Sequence, residues 1–361
     1  MNPAAQAGTH HHGPLIDMHA HALLPVWLQA AADASGRAVE SLMIAGTPAP
    51  AWSPQGHLDV MERHGISASV LSWPSATAFL RGRAASSLAR QMNEQLAAIV
   101  ARHPTRFGAF AILPLDDMEA AMREMAYALD VLKLDGVSSS THINGVYLGD
   151  PSFDTWFAEM DRRGATLFVH PTTPKGFDLV GMGLNAAILE FMFDSTRMAT
   201  NMVLSGAKAR FPGINVICTH GGGTVPYLAS RISILEPQFG AGQGRRVLNT
   251  DEVLAGLGSF YYDLTASTAP ASLDALRRLV PASQLLMGFD YPMMPDTSIA
   301  PAQQRFATYS GWQDAERAAI AHGNAQHLLP RLAAVQAVDH MASRRACIDP
   351  VGTRGHTGAQ G

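Results

Sequence analysis

Eight short apolar runs alternate with longer stretches of helical character, and this alternation constrains the fold more than any other feature of the chain. The runs cover residues 15–19, 68–73, 108–112, 134–137, 166–170, 214–220, 260–263 and 284–288. Most are almost continuously apolar, as expected of strands buried on both faces of a parallel sheet. Helical patterns fall between them at 84–101, 116–132, 152–163 and 184–210. Residues 152–163 end before Gly164, a helix-stopping position. Strand and helix in strict alternation indicate βα units. Eight such units favour a closed (β/α)8 TIM barrel over an open doubly wound sheet.

Length and composition agree with one large domain. The 361 residues are 47% hydrophobic, enough to bury a sizeable core, and only 16% are charged. A formal net charge of −4 leaves no basic stripe for a nucleic-acid backbone. No apolar run reaches the roughly 20 residues of a membrane span. The first residues have neither the basic nor the apolar region of a signal peptide. Cys218 and Cys347 lack paired spacing, which suits a reducing compartment. These features point to a cytoplasmic protein without nucleic-acid or membrane partners. Residues 1–13, including the run His10-His11-His12, are expected to form a disordered tail. The barrel is expected over 14–337, with a flexible tail over 338–361 that shows no apolar periodicity. The stretch 31–55 is too long for an ordinary βα loop, so it reads as a small insertion after the first strand, capping the barrel mouth.

Four motifs carry chemistry, and each falls at the C-terminal end of a run. In a barrel those ends meet on one rim, where the active sites of this fold lie. In His19-Ala20-His21 the two imidazoles share one side of an extended strand, half of a site for Zn, Mn or Fe. His170, in Phe168-Val169-His170-Pro171, ends an apolar strand and needs a partner there, a metal or a backbone carbonyl. His220 precedes Gly221-Gly222-Gly223, which lets the backbone approach a ligand closely. A catalytic role for His220 competes with a plain phosphate-cradling loop. Asp290, in Phe289-Asp290-Tyr291-Pro292, ends the last strand, beside the first once the barrel closes. It is placed to complete a His/His/His/Asp set.

With these motifs in place, the chain resembles the amidohydrolase superfamily, in its branch of metal-dependent decarboxylases. That branch includes the aminocarboxymuconate-semialdehyde, resorcylate, carboxyvanillate and 6-methylsalicylate enzymes. The matching pieces are Ile16 to His21, Phe168 to Pro171, Leu204-Ser205-Gly206, Thr219 to Gly223, Gly288 to Pro292 and Gly323-Asn324-Ala325. The resemblance implies one divalent ion, Zn2+ or alternatively Mn2+, on His19, His21, His170 and Asp290. His220 is then the neighbouring acid/base, and Asp290 takes part in proton delivery. Binuclear relatives carry a bridging lysine at the end of the fourth strand, where this chain has Val137-Ser138-Ser139-Ser140, so a single ion is expected. Arg231, eleven residues after His220, stands where muconate-type enzymes reach into a neighbouring subunit, which implies a homodimer. Those enzymes also carry an arginine in the loop after the first strand, and residues 44–52 contain none. A smaller aromatic monoacid is therefore expected, with Arg231, Trp73 and Phe289 as substrate contacts and Trp52 near the mouth. The implied reaction is non-oxidative decarboxylation of an ortho-hydroxybenzoate such as 6-methylsalicylate. A metal-dependent hydrolase of a lactone or amide is the alternative, and a non-catalytic barrel that binds a small acid is a more distant one.

Overall fold

The computed structural model describes residues 13–242 and 244–335. The proposed tails, with His10-His11-His12 and Cys347, lie almost wholly outside them. Eight parallel strands form one sheet in chain order. They are β1 (Ile16–His21), β2 (Ala68–Ser72), β3 (Phe107–Ala111), β4 (Gly136–Ser140), β5 (Thr166–His170), β6 (Asn215–Cys218), β7 (Tyr261–Asp263) and β8 (Leu285–Leu286). Closure comes from backbone hydrogen bonds between β1 and the residues that follow β8. Met18 N donates to Met287 O (2.9 Å), Asp290 N to His19 O (2.7 Å) and His21 N to Tyr291 O (2.8 Å). The expected (β/α)8 barrel is the observed one.

Two apolar layers hold the barrel. Inside, Ile16, Met18, Ala68, Val70, Phe110, Phe168, Ile217 and Leu286 pack with Leu328, Leu329 and Leu332 of the C-terminal segment. Outside, the opposite strand faces join the helices in a larger cluster. Arg331 ties the same C-terminal segment to the start of β4 through Asp135 (2.7 Å) and to Phe107 O (3.0 Å).

Several boundaries differ from the sequence reading. The fourth strand was expected at 134–137 and runs instead through three serines. Their hydroxyls donate to backbone carbonyls of Ala111, Ser140 and His142, which makes a polar strand end tolerable in the interior. The helix expected over 184–210 is interrupted. A 3-10 turn (Ala186–Ile188) precedes the helix Glu190–Leu204, and Gly206 at φ 77° separates that helix from Ala207–Arg210. Such a left-handed residue ends an α-helix and costs glycine little. The insertion after β1 is built rather than irregular. It holds the helix Pro25–Ser35, a 3-10 turn and the hairpin Met43–Ile44 with Thr47–Pro48. The hairpin tip meets the segment after β5, where Asn185 Nδ2 donates to Ala45 O.

Candidate metal centre

Two histidines of β1 face the barrel interior because the strand carries a bulge. Ile16 pairs with Ala68 and Asp17 with Ser69, but Ala20 pairs with Leu71 and His21 with Ser72. Three residues of β1 thus advance against two of β2, which inverts the pleat. Ile16 points inward below the bulge, and His19 and His21 point inward above it. With no bulge the inward residue would be Ala20, and both imidazoles would face the helices.

His170 comes to the same rim from β5, and Asp290 from the turn after β8. One donor atom from each of His19, His21, His170 and Asp290 falls within 4.8 Å of all the others. Asp290 Oδ1 stands 3.0 Å from His21 Nε2 and 3.5 Å from His19 Nε2. Among the described residues, neither His19 Nε2 nor Asp290 Oδ1 has a hydrogen bond of good geometry, although both are buried. Buried polar atoms left unpaired at one point are costly unless something else satisfies them. Three imidazoles and a carboxylate suit a borderline divalent cation. The residues present therefore fit a single metal ion.

The opposite ring nitrogens are already engaged. His19 Nδ1 lies 2.8 Å from Asp263 Oδ2, His21 Nδ1 lies 3.1 Å from Ser72 Oγ, and His170 Nδ1 lies 2.6 Å from Pro171 O. A proton on each Nδ1 leaves each Nε2 as a free lone pair, the arrangement that orients imidazole ligands. Asp17, beneath, accepts from His19 N (3.0 Å), Phe289 N (3.1 Å) and Ser69 Oγ (3.4 Å), tying β1 to the turn that carries Asp290.

Charge in this cluster follows burial and proximity. Burial pushes the Asp17 carboxyl up to about 7 against the pull of the His19 amide. Burial also opposes ionisation of Asp290, but the charges of His19 and His21 hold its carboxyl well below the usual range. His170 is driven below the ordinary imidazole value by burial and by its histidine neighbours.

His220 belongs to the cluster without joining the four-donor set. Its Nε2 lies 3.3 Å from His170 Nε2 and 4.0 Å from Asp290 Oδ2. Burial and His19 lower it to about 4. Its amide donates to Asp263 Oδ1 (2.9 Å), and both His220 (φ 53°) and Asp290 (φ 61°) adopt left-handed backbone. Non-glycine residues held in that region concentrate at functional sites. The three glycines that follow share positive φ, and a Cβ on Gly223 would overlap the Met192 carbonyl.

Trp73 is buried and sets its ring edge-on to His21, 5.5 Å between centroids. Phe289 is buried in the outer core, with only its backbone reaching Asp17. Trp52, near the end of the insertion, donates to His57 Nδ1 (3.1 Å). Arg231 is exposed on the helix Val225–Phe239, with no hydrogen bond or ion pair to the cluster. Asp263 was missed by sequence reasoning, although a carboxylate ending the seventh run at the same rim was a usable signal.

A family model described as amidohydrolase matches residues 16–331. A 6-methylsalicylic acid decarboxylase of Penicillium expansum is 30% identical over 322 residues, covering 88% of this chain and 96% of its own. That of Aspergillus aculeatus is 31% identical over 336 residues, covering 89% and 98%. The crystal structure of 5-carboxyvanillate decarboxylase from Sphingomonas paucimobilis is 23% identical and matches the fold with a TM-score of 0.77, covering 88% of this chain and 99% of its own.

Proposed function

This chain belongs to the amidohydrolase family, and from that premise we propose that it is a metal-dependent, non-oxidative decarboxylase of an aromatic hydroxy acid, 6-methylsalicylate or a related ortho-hydroxybenzoate. The observation that carries the reading is the position of His220 Nε2, outside the four-donor set yet within 4.0 Å of it at Asp290. Relatives similar over nearly their whole length and named as decarboxylases of 6-methylsalicylic acid support the substrate class.

His19, His21, His170 and Asp290 would hold one ion, Zn2+ from the imidazole-rich donor set, with Mn2+ as the second choice. Such an ion would supply Lewis-acid charge toward the carboxylate of a bound hydroxy acid. The chain's own residues do the rest. The charge of a bound carboxylate would favour the protonated form of His220, which delivers its Nε2 proton to the carboxyl-bearing ring carbon, directly or by way of Asp290, and is left as neutral imidazole. The new C–H bond takes a ring electron pair and interrupts aromaticity. The bond to the carboxyl carbon then breaks, its electrons restore the ring, and carbon dioxide leaves. Trp73, edge-on to His21, is the apolar contact proposed for the ring; Phe289, expected beside it, is turned into the outer core instead.

A homodimer is part of the same proposal. Tyr227 (84% exposed) and Ile234 (51% exposed) share a helix face with Arg231 at spacings of four and three residues. Leu179 and Met182 are also exposed, and a second copy would cover such apolar surface. Arg231 would then meet the carboxylate of a substrate in the partner's site. Among the described residues no helix is long and apolar enough to cross a membrane. We place the chain in the cytoplasm, on the absence of paired cysteine spacing.

The test is metal analysis of the purified protein coupled to carbon dioxide release over a panel of hydroxybenzoates. One ion per chain and release from at least one ortho-hydroxybenzoate support the proposal. A metal-free protein inert to added Zn2+ and Mn2+ contradicts it.

A further inference from the structure

The carbonyl beside the His170 ring belongs to a peptide unit that is itself held at its other end. Pro171 O lies 2.6 Å from His170 Nδ1, and Thr172 N, in the same peptide unit, donates to Asp194 Oδ2 at 2.9 Å. That peptide is trans, and it is planar, so its N–H and C=O point opposite ways from one rigid plate. Holding the N–H fixes the rotation of the plate. The direction in which the His170 imidazole is drawn is fixed with it.

Asp194 has the surroundings such a hold requires. It is completely buried, near the start of the helix Glu190–Leu204. Besides Thr172 N, it accepts from Thr141 Oγ1 and from Tyr147 Oη (2.7 Å). Thr141 makes a further contact with the same histidine, since its amide donates to His170 O (3.1 Å). Phe191, three residues before Asp194 and on the same helix face, sets its ring edge-on to His170 with 6.0 Å between centroids. One turn of helix thus meets the ring of His170 and the backbone around it.

A carboxylate kept for an ion pair would face a cation. The one ion-pair contact of Asp194 among the described residues is His142 Nε2, 3.9 Å from Oδ1. Its three hydrogen bonds all come from neutral donors, and a buried carboxylate in such a setting is costly. What the carboxylate adds is polarisation. A peptide whose N–H donates to a carboxylate has a carbonyl that accepts more strongly, because hydrogen bonds in a chain reinforce one another. A stronger pull on the Nδ1 proton makes Nε2 of the same ring a better ligand.

We propose that Asp194 is a positioning residue for His170, acting through the Pro171–Thr172 peptide as Asp263 acts directly on His19. The proposal rests on the reading of His19, His21, His170 and Asp290 as a metal centre, and gives that centre a supporting group on the helix Glu190–Leu204.

The test uses the full-length protein loaded with Co2+, whose visible absorption follows the geometry of its ligands, and measures affinity by competition with a chelator. Asp194→Ala leaves the Thr172 amide unheld, and affinity is expected to fall about 10–100-fold with an altered Co2+ spectrum. Asp194→Asn keeps an acceptor oxygen without the charge, so its loss is smaller, about three- to tenfold. It carries the test where the alanine variant does not fold. Tyr147→Phe takes a hydrogen bond from the same carboxylate but none from the peptide, so stability toward urea falls while affinity stays within about twofold of the wild type and the spectrum is unchanged. Unchanged affinity and spectrum in either Asp194 variant, or an equal loss of affinity in Tyr147→Phe, makes Asp194 a purely structural residue and overturns the proposal while the metal centre stands. A wild type that binds no ion removes the centre, and the proposal with it.

Discussion

Asp263 Oδ2 stands 2.8 Å from His19 Nδ1, and its other oxygen accepts the amide of His220 at 2.9 Å. One carboxylate from β7 therefore fixes both a proposed metal ligand and the proposed proton donor. Its own ionisation is opposed by burial but sustained by His19, which holds it below the usual carboxylate range. Asp263→Asn keeps the shape and removes the charge. Metal affinity is expected to fall by roughly 10–100-fold, the usual cost of losing such a supporting contact. Competition against a chelator measures it, and an unchanged affinity would remove Asp263 from the account.

His220 is expected to separate metal binding from chemistry. His220→Gln should retain one ion per chain while carbon dioxide release falls by on the order of 10²–10⁴, the range for a positioned acid or base. Metal content and turnover are measured on the same sample. Loss of the ion in His220→Gln would make this residue a ligand instead.

His57 gives the fold a defined acid sensitivity. It is fully enclosed, accepts from Trp52 Nε1 and packs against Tyr291 and Phe107. Burial, with a smaller contribution from His21, lowers its pKa to about 3 from an ordinary 6.5. The folded protein keeps His57 neutral between those values, while the unfolded chain binds the proton. Stability therefore falls as pH drops below 6.5, by about 1.4 kcal/mol per unit for this group, and levels off near 3. Urea unfolding at pH 7 and pH 5 should show His57→Gln losing ~2 kcal/mol less than the wild type over that interval. Identical losses would mean that His57 is protonated in the folded state.

Gly223 sits at φ 66° against the Met192 carbonyl. Gly223→Ala meets both the left-handed penalty of ~1–2 kcal/mol and a backbone overlap. Denaturant unfolding should show a loss beyond ~2 kcal/mol. A smaller loss would show that the helix Glu190–Leu204 yields at Met192.

The barrel and the metal cluster were legible because strand ends write themselves into the sequence. His19, His21, His170, His220 and Asp290 each close an apolar run, and the barrel gathers such ends on one rim. Other features depend on contacts with distant parts of the chain. The β1 bulge shows only as a register shift against β2, since the i, i+2 spacing of His19 and His21 is the same on either face. The fourth strand was expected to stop at Val137 because the serines that follow are polar, and what buries them, carbonyls on neighbouring segments that accept from their hydroxyls, does not show in the sequence. Asp263 ended a recognised run, but its partner His19 lies 244 positions away. Gly206 was visible, yet the apolar pattern continued through it and masked the break in the 184–210 stretch.

The central claim is tested most directly by turning over 6-methylsalicylate with metal-loaded protein in deuterated water. The account predicts one carbon dioxide per acid consumed, and 3-methylphenol carrying a single deuterium at the carbon that bore the carboxyl group. Consumption of the acid without carbon dioxide, or a product that has gained oxygen from the solvent, would contradict it.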